Sequence, residues 1–210
     1  MHTPLDAWVH GWAVCRNTPT PVAFRGGYRI DVGQPGHNVR YVLPMYDPEL
    51  AGAKHQPDTW LKVCGTVALD PPWQVQPPEY LMTTELAGSA ERLDGSYRLD
   101  TALQGSVIQV VVRAEDDSVA ARGKAGLAGG CAVFDQIETD PQHRRRGLGR
   151  AVMGALSTAA QYAGATTGVL VATEDGRALY SALGWTLSSP MTAAVSRGLR
   201  TGSGCGADPG

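Results

Sequence analysis

The sequence predicts an α+β protein whose sheet is mostly antiparallel and carries one parallel pairing. Three features predict it: β-rich segments joined by tight turns between residues 97 and 139, one strongly periodic helix at 147–163, and a buried strand, Thr167–Ala172, directly after it. A strand, a helix and a second strand in that order return the chain parallel to itself, so 131–139 is expected beside 167–172.

The elements follow in order. Residues 4–15 (PLDAWVHGWAVC) place Leu5, Trp8, Val9 and Trp12 near helical spacing, predicting one short amphipathic helix. Tyr28–Val32 and Val39–Leu43 read as strands, with 33–38 as the turn of a hairpin. Residues 44–58 read as loop or short helix. Thr59–Val63 and Tyr80–Glu85 read as further strands, on either side of a connector containing Pro71, Pro72, Pro77 and Pro78. The texture then changes. Tyr97–Leu103, Ser106–Ala114, Val119–Ala128 and Cys131–Thr139 are β-rich, with Asp116-Asp117-Ser118 and Gly129-Gly130 as turns.

Leu148, Ala151, Val152, Ala155, Leu156 and Ala159 form one apolar stripe on the helix, which Gly164 closes. A short helix to Leu183 and two final strands, around Trp185–Ser188 and Thr192–Val195, complete the chain before a Gly- and Pro-rich tail from Arg197. The organisation expected is an N-terminal α/β segment (1–90), a second domain (91–196) and a flexible tail (197–210).

Formal net charge is −2 over 210 residues, so no global field favours nucleic acid or an anionic membrane as partner. Cys15, Cys64, Cys131 and Cys205 include no C-x-x-C pair, and the five histidines are equally dispersed. No metal site is expected. No basic start leads into an apolar core, and no stretch reaches about 20 apolar residues, so the expectation is a cytoplasmic protein. A homodimer is left open.

Asp135 to Arg150 carries the chemistry. A strand runs into a Gly- and Arg-rich turn, and the turn opens a helix. The first amides of a helix lack partners and carry partial positive charge, while Gly147 and Gly149 let an anion approach the backbone. An anion site follows, for a phosphate or pyrophosphate. No Lys follows the glycines as a Walker loop requires, and Val152 stands where the dinucleotide fingerprint needs its third Gly.

The pattern that fits is R-x-x-G-x-G, Arg144 to Gly149. With the strand ending Ile137, Thr139, Pro141 and the element Ala178-Leu179-Tyr180-x-x-Leu183-Gly184-Trp185, residues 97–195 resemble the GNAT superfamily of acyl-CoA-dependent N-acyltransferases. The resemblance implies a GNAT-like fold, acetyl-CoA as co-substrate, and transfer of its acetyl group to a primary amine of a small molecule or amino acid. It also implies that the backbone of Arg144, Arg145, Arg146, Gly147, Leu148, Gly149 and Arg150 holds the pyrophosphate. Ile137, Glu138 and Thr139 would pair with the pantetheine arm, and Tyr180 matches the general acid. A protein or peptide acceptor, or a non-catalytic CoA-binding module, stays open beside this.

A primary amine must lose a proton before it attacks a thioester. Asp135 and Glu138 border the reacting position and are the candidate bases, with His143 a third. Strict alternation would put Asp135 on the face of Ile137 and Thr139, and Glu138 on the other. Two departures from the family stand out. Thr173 replaces a common Asn, and Gln104-Gly105 alone separates two strands between which the family has two helices. The N-terminal segment is therefore expected to cover that face. Thr59–Val63, Pro72-Trp73 and Tyr80–Thr83 echo Thr167–Ala172, Gly184-Trp185 and Pro190–Thr192, which suggests a degenerate half-copy of the fold. Trp8, Trp12, Trp60, Trp73 and Trp185 are expected to pack, and Cys131 to act as a small hydrophobe.

Overall fold

The computed structural model of the chain describes residues 3–88 and 93–196. The tail expected from Arg197 onward lies outside them. Helix α1 (Pro4–Arg16) starts at a reciprocal capping box between Thr3 and Asp6, with Pro at the first turn where its missing N–H costs nothing. Strands β1 (Val22–Phe24), β2 (Gly27–Gln34) and β3 (His37–Leu43) form a meander, and the short helix α2 (Pro48–Ala53) leads to β4 (Thr59–Cys64). Then come β5 (Trp73–Val75) and β6 (Glu79–Glu85). The second half holds β7 (Tyr97–Gln104), β8 (Val107–Ala114), β9 (Val119–Ala128), β10 (Cys131–Thr139), α3 (Leu148–Tyr162), β11 (Thr167–Thr173), α4 (Glu174–Ala182) and β12 (Thr186–Ser196).

All the strands belong to one twelve-stranded sheet, in the order β1-β2-β3-β4-β12-β6-β11-β10-β9-β8-β7, with β5 beside β12. The expected parallel pair β10–β11 is present, and β3–β4 is a second one. The two final strands expected after Trp185 are a single strand. Its first part, Thr186 to Met191, pairs with β6, and its second, Met191 to Ser196, pairs with β4. Pro190, which looks like a break in sequence, holds the chain extended there, because proline drives the preceding residue out of helical space. Strand β6 in turn lies between β11 and β12, so each half of the chain contributes a strand to the other half's sheet.

Alternation along β10 divides the core. Ala132 and Phe134 face α3, where Leu148, Val152, Leu156 and Ala160 pack with Ile108, Val110 and Val112. Val133 faces the other way, toward Trp8, Val9 and Trp12 of α1, which also meet Ile30, Val42, Leu81, Val169 and Met191. Helix α1 thus covers the face left bare by the two absent helices. It sits on the sheet at a glycine pair: a Cβ on Gly126 would stand 2.3 Å from the Gly11 carbonyl oxygen, and one on Gly11 would stand 2.3 Å from Val133 Cγ2. Backbone meets backbone here, so neither side can yield cheaply. Gly126→Ala should therefore cost about 1–3 kcal/mol, read as a lower urea midpoint. Gly52→Ala in α2, where a Cβ would meet nothing within 4 Å, should leave the midpoint in place or raise it slightly.

Candidate active site

Strands β10 and β11 pair only as far as Phe134 and Leu170, although β10 continues to Thr139 and β11 to Thr173. Beyond that point they part. An open groove of about 790 Å³ fills the gap, bounded by Asp135 to Thr139, the Arg144–Arg150 turn, Leu170 to Thr173, and Asp175, Gly176, Leu179 and Tyr180 of α4.

At the fork β10 carries a bulge. Asp135 pairs with Lys124 and Glu138 with Arg122, so the three-residue step from Asp135 to Glu138 spans only two on β9, and Gln136 takes φ 56°. The bulge corrects the alternation expected from sequence. Asp135 and Glu138 lie on the same face, the one toward α1, whereas Ile137 turns to the α3 side and touches the space above Gly123.

The carboxylate of Asp135 is gripped by the fork of Arg16 from the end of α1: Nε binds Oδ2, and Nη2 donates to Oδ1 at 3.1 Å. Glu138 accepts from Arg122 Nε at 2.9 Å and Nη2 at 2.6 Å, with its side chain 54% exposed. Tyr180 tilts against Trp185 at 6.1 Å between ring centroids, and Trp185 meets Phe134 edge-on at 5.1 Å. Burial, and secondarily the charge of Asp135, pushes the Tyr180 phenol up to about 12.

The turn at the other end begins with Asp140, whose side chain accepts from the Gln142 amide at 2.8 Å. After a 3₁₀ turn at Pro141–His143, Arg145 and Gly147 both adopt positive φ, 63° and 76°. Gly147 caps α3 without any side-chain hydrogen bond. The amides of Leu148 and Gly149, in the first turn of α3, have no intrahelical acceptor, and no side chain of the cap residue takes their place. Arg144, Arg145, Leu148, Gly149 and Arg150 border the groove. Arg146 does not: its guanidinium donates to Tyr97 Oη at 2.8 Å, and Tyr97 also meets His143 Nδ1 at 3.0 Å in a separate recess. Thr173, the residue in place of the family's Asn, caps α4 by accepting from the Gly176 amide at 3.3 Å.

Sequence reading missed a group of charges behind Asp135. Lys62, buried, forms an ion pair with the half-buried Glu79. Arg40, 8% exposed, lays its guanidinium 4.1 Å from the centre of Trp12. The available signal was a single cation within an apolar strand (Lys62 in TWLKV), but nothing local says which face it occupies.

Residues 127–193 match the family model for FR47-like protein. Among solved structures, a GCN5-related N-acetyltransferase from Kribbella flavida superposes with a TM-score of 0.64 at 16% identity, covering 89% of this chain and 93% of that one. A GNAT-family acetyltransferase from Novosphingobium aromaticivorans gives 0.60 at 21% identity, over 92% and 97%. A tandem GNAT protein from the clavulanic acid biosynthesis pathway gives 0.52 at 13%, over 70% and 66%. No curated protein matches the sequence. At these identities the structural likeness is one of fold. The fold is that of these GNAT acetyltransferases, and the family match lies within its second half, at residues 127–193.

The position of Tyr180 has a spectroscopic consequence. An exposed phenol ionises near pH 10, and this one near 12, so the folded state holds a proton that the unfolded state has lost between those values. Stability should accordingly fall as pH rises from about 10 to about 12, and less so in Tyr180→Phe. In ultraviolet difference titration near pH 11, the deficit of tyrosinate in the folded wild type relative to the unfolded chain should shrink by one phenol in Tyr180→Phe.

Proposed function

We propose that the protein transfers an acetyl group from acetyl-CoA to the primary amine of a small molecule or amino acid by direct attack. The observation that carries this is the groove itself: unpartnered amides at one end, Asp135 and Tyr180 at the other, and strand edges that part between them. Arg144, Arg145, Gly147, Leu148, Gly149 and Arg150 would cradle the diphosphate, while the open edge of Ile137 to Thr139 would pair with the extended arm of the CoA. Arg146, held by Tyr97, would contribute its backbone and its long-range charge only.

At the reacting end, Asp135 holds the amine and takes its proton. Arg16 occupies one lone-pair site on each carboxylate oxygen and leaves others for the substrate. Amides on the β10 edge that faces the groove, near Ile137 and Glu138, stabilise the developing oxyanion. The C–S bond breaks as the C–N bond forms. A departing thiolate has a pKa of about 8.5 by analogy with cysteine, well below that of Tyr180. Tyr180 therefore hydrogen-bonds the sulfur as its charge grows, without having to surrender its proton. Glu138, exposed and tied to Arg122, flanks the groove mouth.

Helix α1 closes the acceptor end with buried charge and tryptophan, which favours a compact acceptor over a peptide. We further propose that residues 1–90 are a degenerate half-copy of 91–196. Each half has a parallel pair (β3–β4, β10–β11), a tryptophan at or just before its next strand (Trp73, Trp185), and a strand given to the other half. The exchange of β6 and β12 would make the halves inseparable in folding, with 197–210 as a tail.

Purified protein given acetyl-CoA, a thiol reagent and a panel of amines should release free CoA only with particular small amines. Tyr180→Phe should lower kcat about 100-fold with CoA affinity nearly unchanged. Release with peptides alone would overturn the small-acceptor reading, and CoA binding without release would overturn catalysis. Gly149→Ala isolates the cradle. Its Cβ would meet Leu179 at 3.5 Å and Thr139 at 3.7 Å, ordinary contacts, so the fold should hold while CoA binding, measured by calorimetry, weakens about 10-fold.

A further inference from the structure

Behind Asp135, on the face covered by α1, the structure gathers three cations and two carboxylates. Arg16 is paired with Asp135 and Lys62 with Glu79. Arg40 is left over. It is 8% exposed, and among the described residues no carboxylate lies within ion-pair distance of it. Its Nε is buried with no hydrogen-bond partner. Trp12 at 4.1 Å and Trp8 at 6.0 Å form its walls. The same Trp12 also carries Arg16, at 5.6 Å, so the surplus cation stands one indole away from the pair that ends at Asp135 in the groove.

Two neighbours define what fits there. His37, wedged between Trp12 and Trp60 at 6.2 and 5.4 Å, has its pKa lowered to about 3, by burial first and then by the charges of Arg40, Lys62 and Arg16. It therefore adds no charge at neutral pH. Gln136, the bulge residue next to Asp135, lines the groove with its Oε1 buried and unmatched by any donor. A donor without a partner thus stands one indole from the Arg16–Asp135 pair, and an acceptor without a partner belongs to the residue next to Asp135. Stacking on indole returns at most about 2 kcal/mol, less than the burial of an unpaired charge costs. A structural arginine in this place would be a net loss that a bound anion removes.

We propose that the acceptor carries a carboxylate close to its amine, and that Arg40 receives this carboxylate while Asp135 and Gln136 receive the amine. The proposal rests on the acetyltransferase reading and narrows it to amino acids and their near relatives. Arg40 is then a specificity determinant, and the Trp8–Trp12 walls keep water from weakening the pair.

Matched acceptors test it: α-amino acids against the amines left by removing their carboxyl group, and against their amides. Wild-type kcat/KM should favour the carboxylated member about 100-fold or more, and Arg40→Gln should bring the pair to within a few fold of each other while Arg40→Lys keeps part of the preference. Equal kcat/KM for the members on the wild-type enzyme, or a preference that survives Arg40→Gln, overturns the role of Arg40. The wild-type comparison decides alone if the variant does not fold. CoA release with decarboxylated amines as readily as with amino acids sinks this proposal and leaves the acetyltransferase reading standing. Calorimetric CoA binding without release for any amine sinks both.

Discussion

The site depends on how closely α1 lies on the sheet. Gly11 and Gly126 let the helix backbone approach the β9 backbone to a distance that any side chain would prevent. At that distance the end of the helix reaches β10, where Cys15 Sγ donates to the Val133 carbonyl at 3.4 Å and Arg16 takes the Asp135 carboxylate. Without the close approach, a charge from residue 16 could not meet one from residue 135. The apolar face of α1 supplies the driving force, the glycines remove the obstacle, and the ion pair records the resulting position.

A second constraint acts inside β10. The strand must stay paired with β9 along its whole length yet leave β11 after Phe134. One extra residue in the bulge accomplishes both. It strengthens the local twist, brings Glu138 onto the face of Asp135 and leaves strand edges without partners. The groove exists because the sheet cannot remain flat and fully bonded on both sides of that bulge. Trp185 and Phe134 fill the closed end of the fork, which prevents it from zipping up.

The parallel pair opens upon a stack of buried charge, and this is unusual for a sheet interior. Lys62 and Glu79 offset one another, while Arg40 rests on indole rings. Both cations have their pKa values lowered by burial, Arg40 to about 10 and Lys62 to about 8, with Glu79 the largest opposing influence. A fold selected for stability alone would have apolar residues there. Tryptophans expected to be plain packing therefore have a second role, as low-dielectric walls around charge.

By itself the sequence determined most of the elements and the loop that resembles a known family's. Period 3.6 at 147–163, period 2 in β7 to β10, and the Arg144–Gly149 turn are local patterns, set by neighbours a few residues apart. They led to the parallel pair β10–β11 and to a GNAT-like fold. Only the tertiary structure decided three other things: the exchange of β6 and β12, the single bridging strand where two were expected, and the common face of Asp135 and Glu138. Thr167 pairs with Glu85 and Ser196 with Thr59, and no local preference encodes a register between residues so far apart. The bulge was equally hidden, since Gln136 carries no mark in sequence of its positive φ. Arg16, Arg40, Lys62 and Glu79 come from three strands and a helix, and each reads as an ordinary charge until long-range packing brings them within reach of one carboxylate.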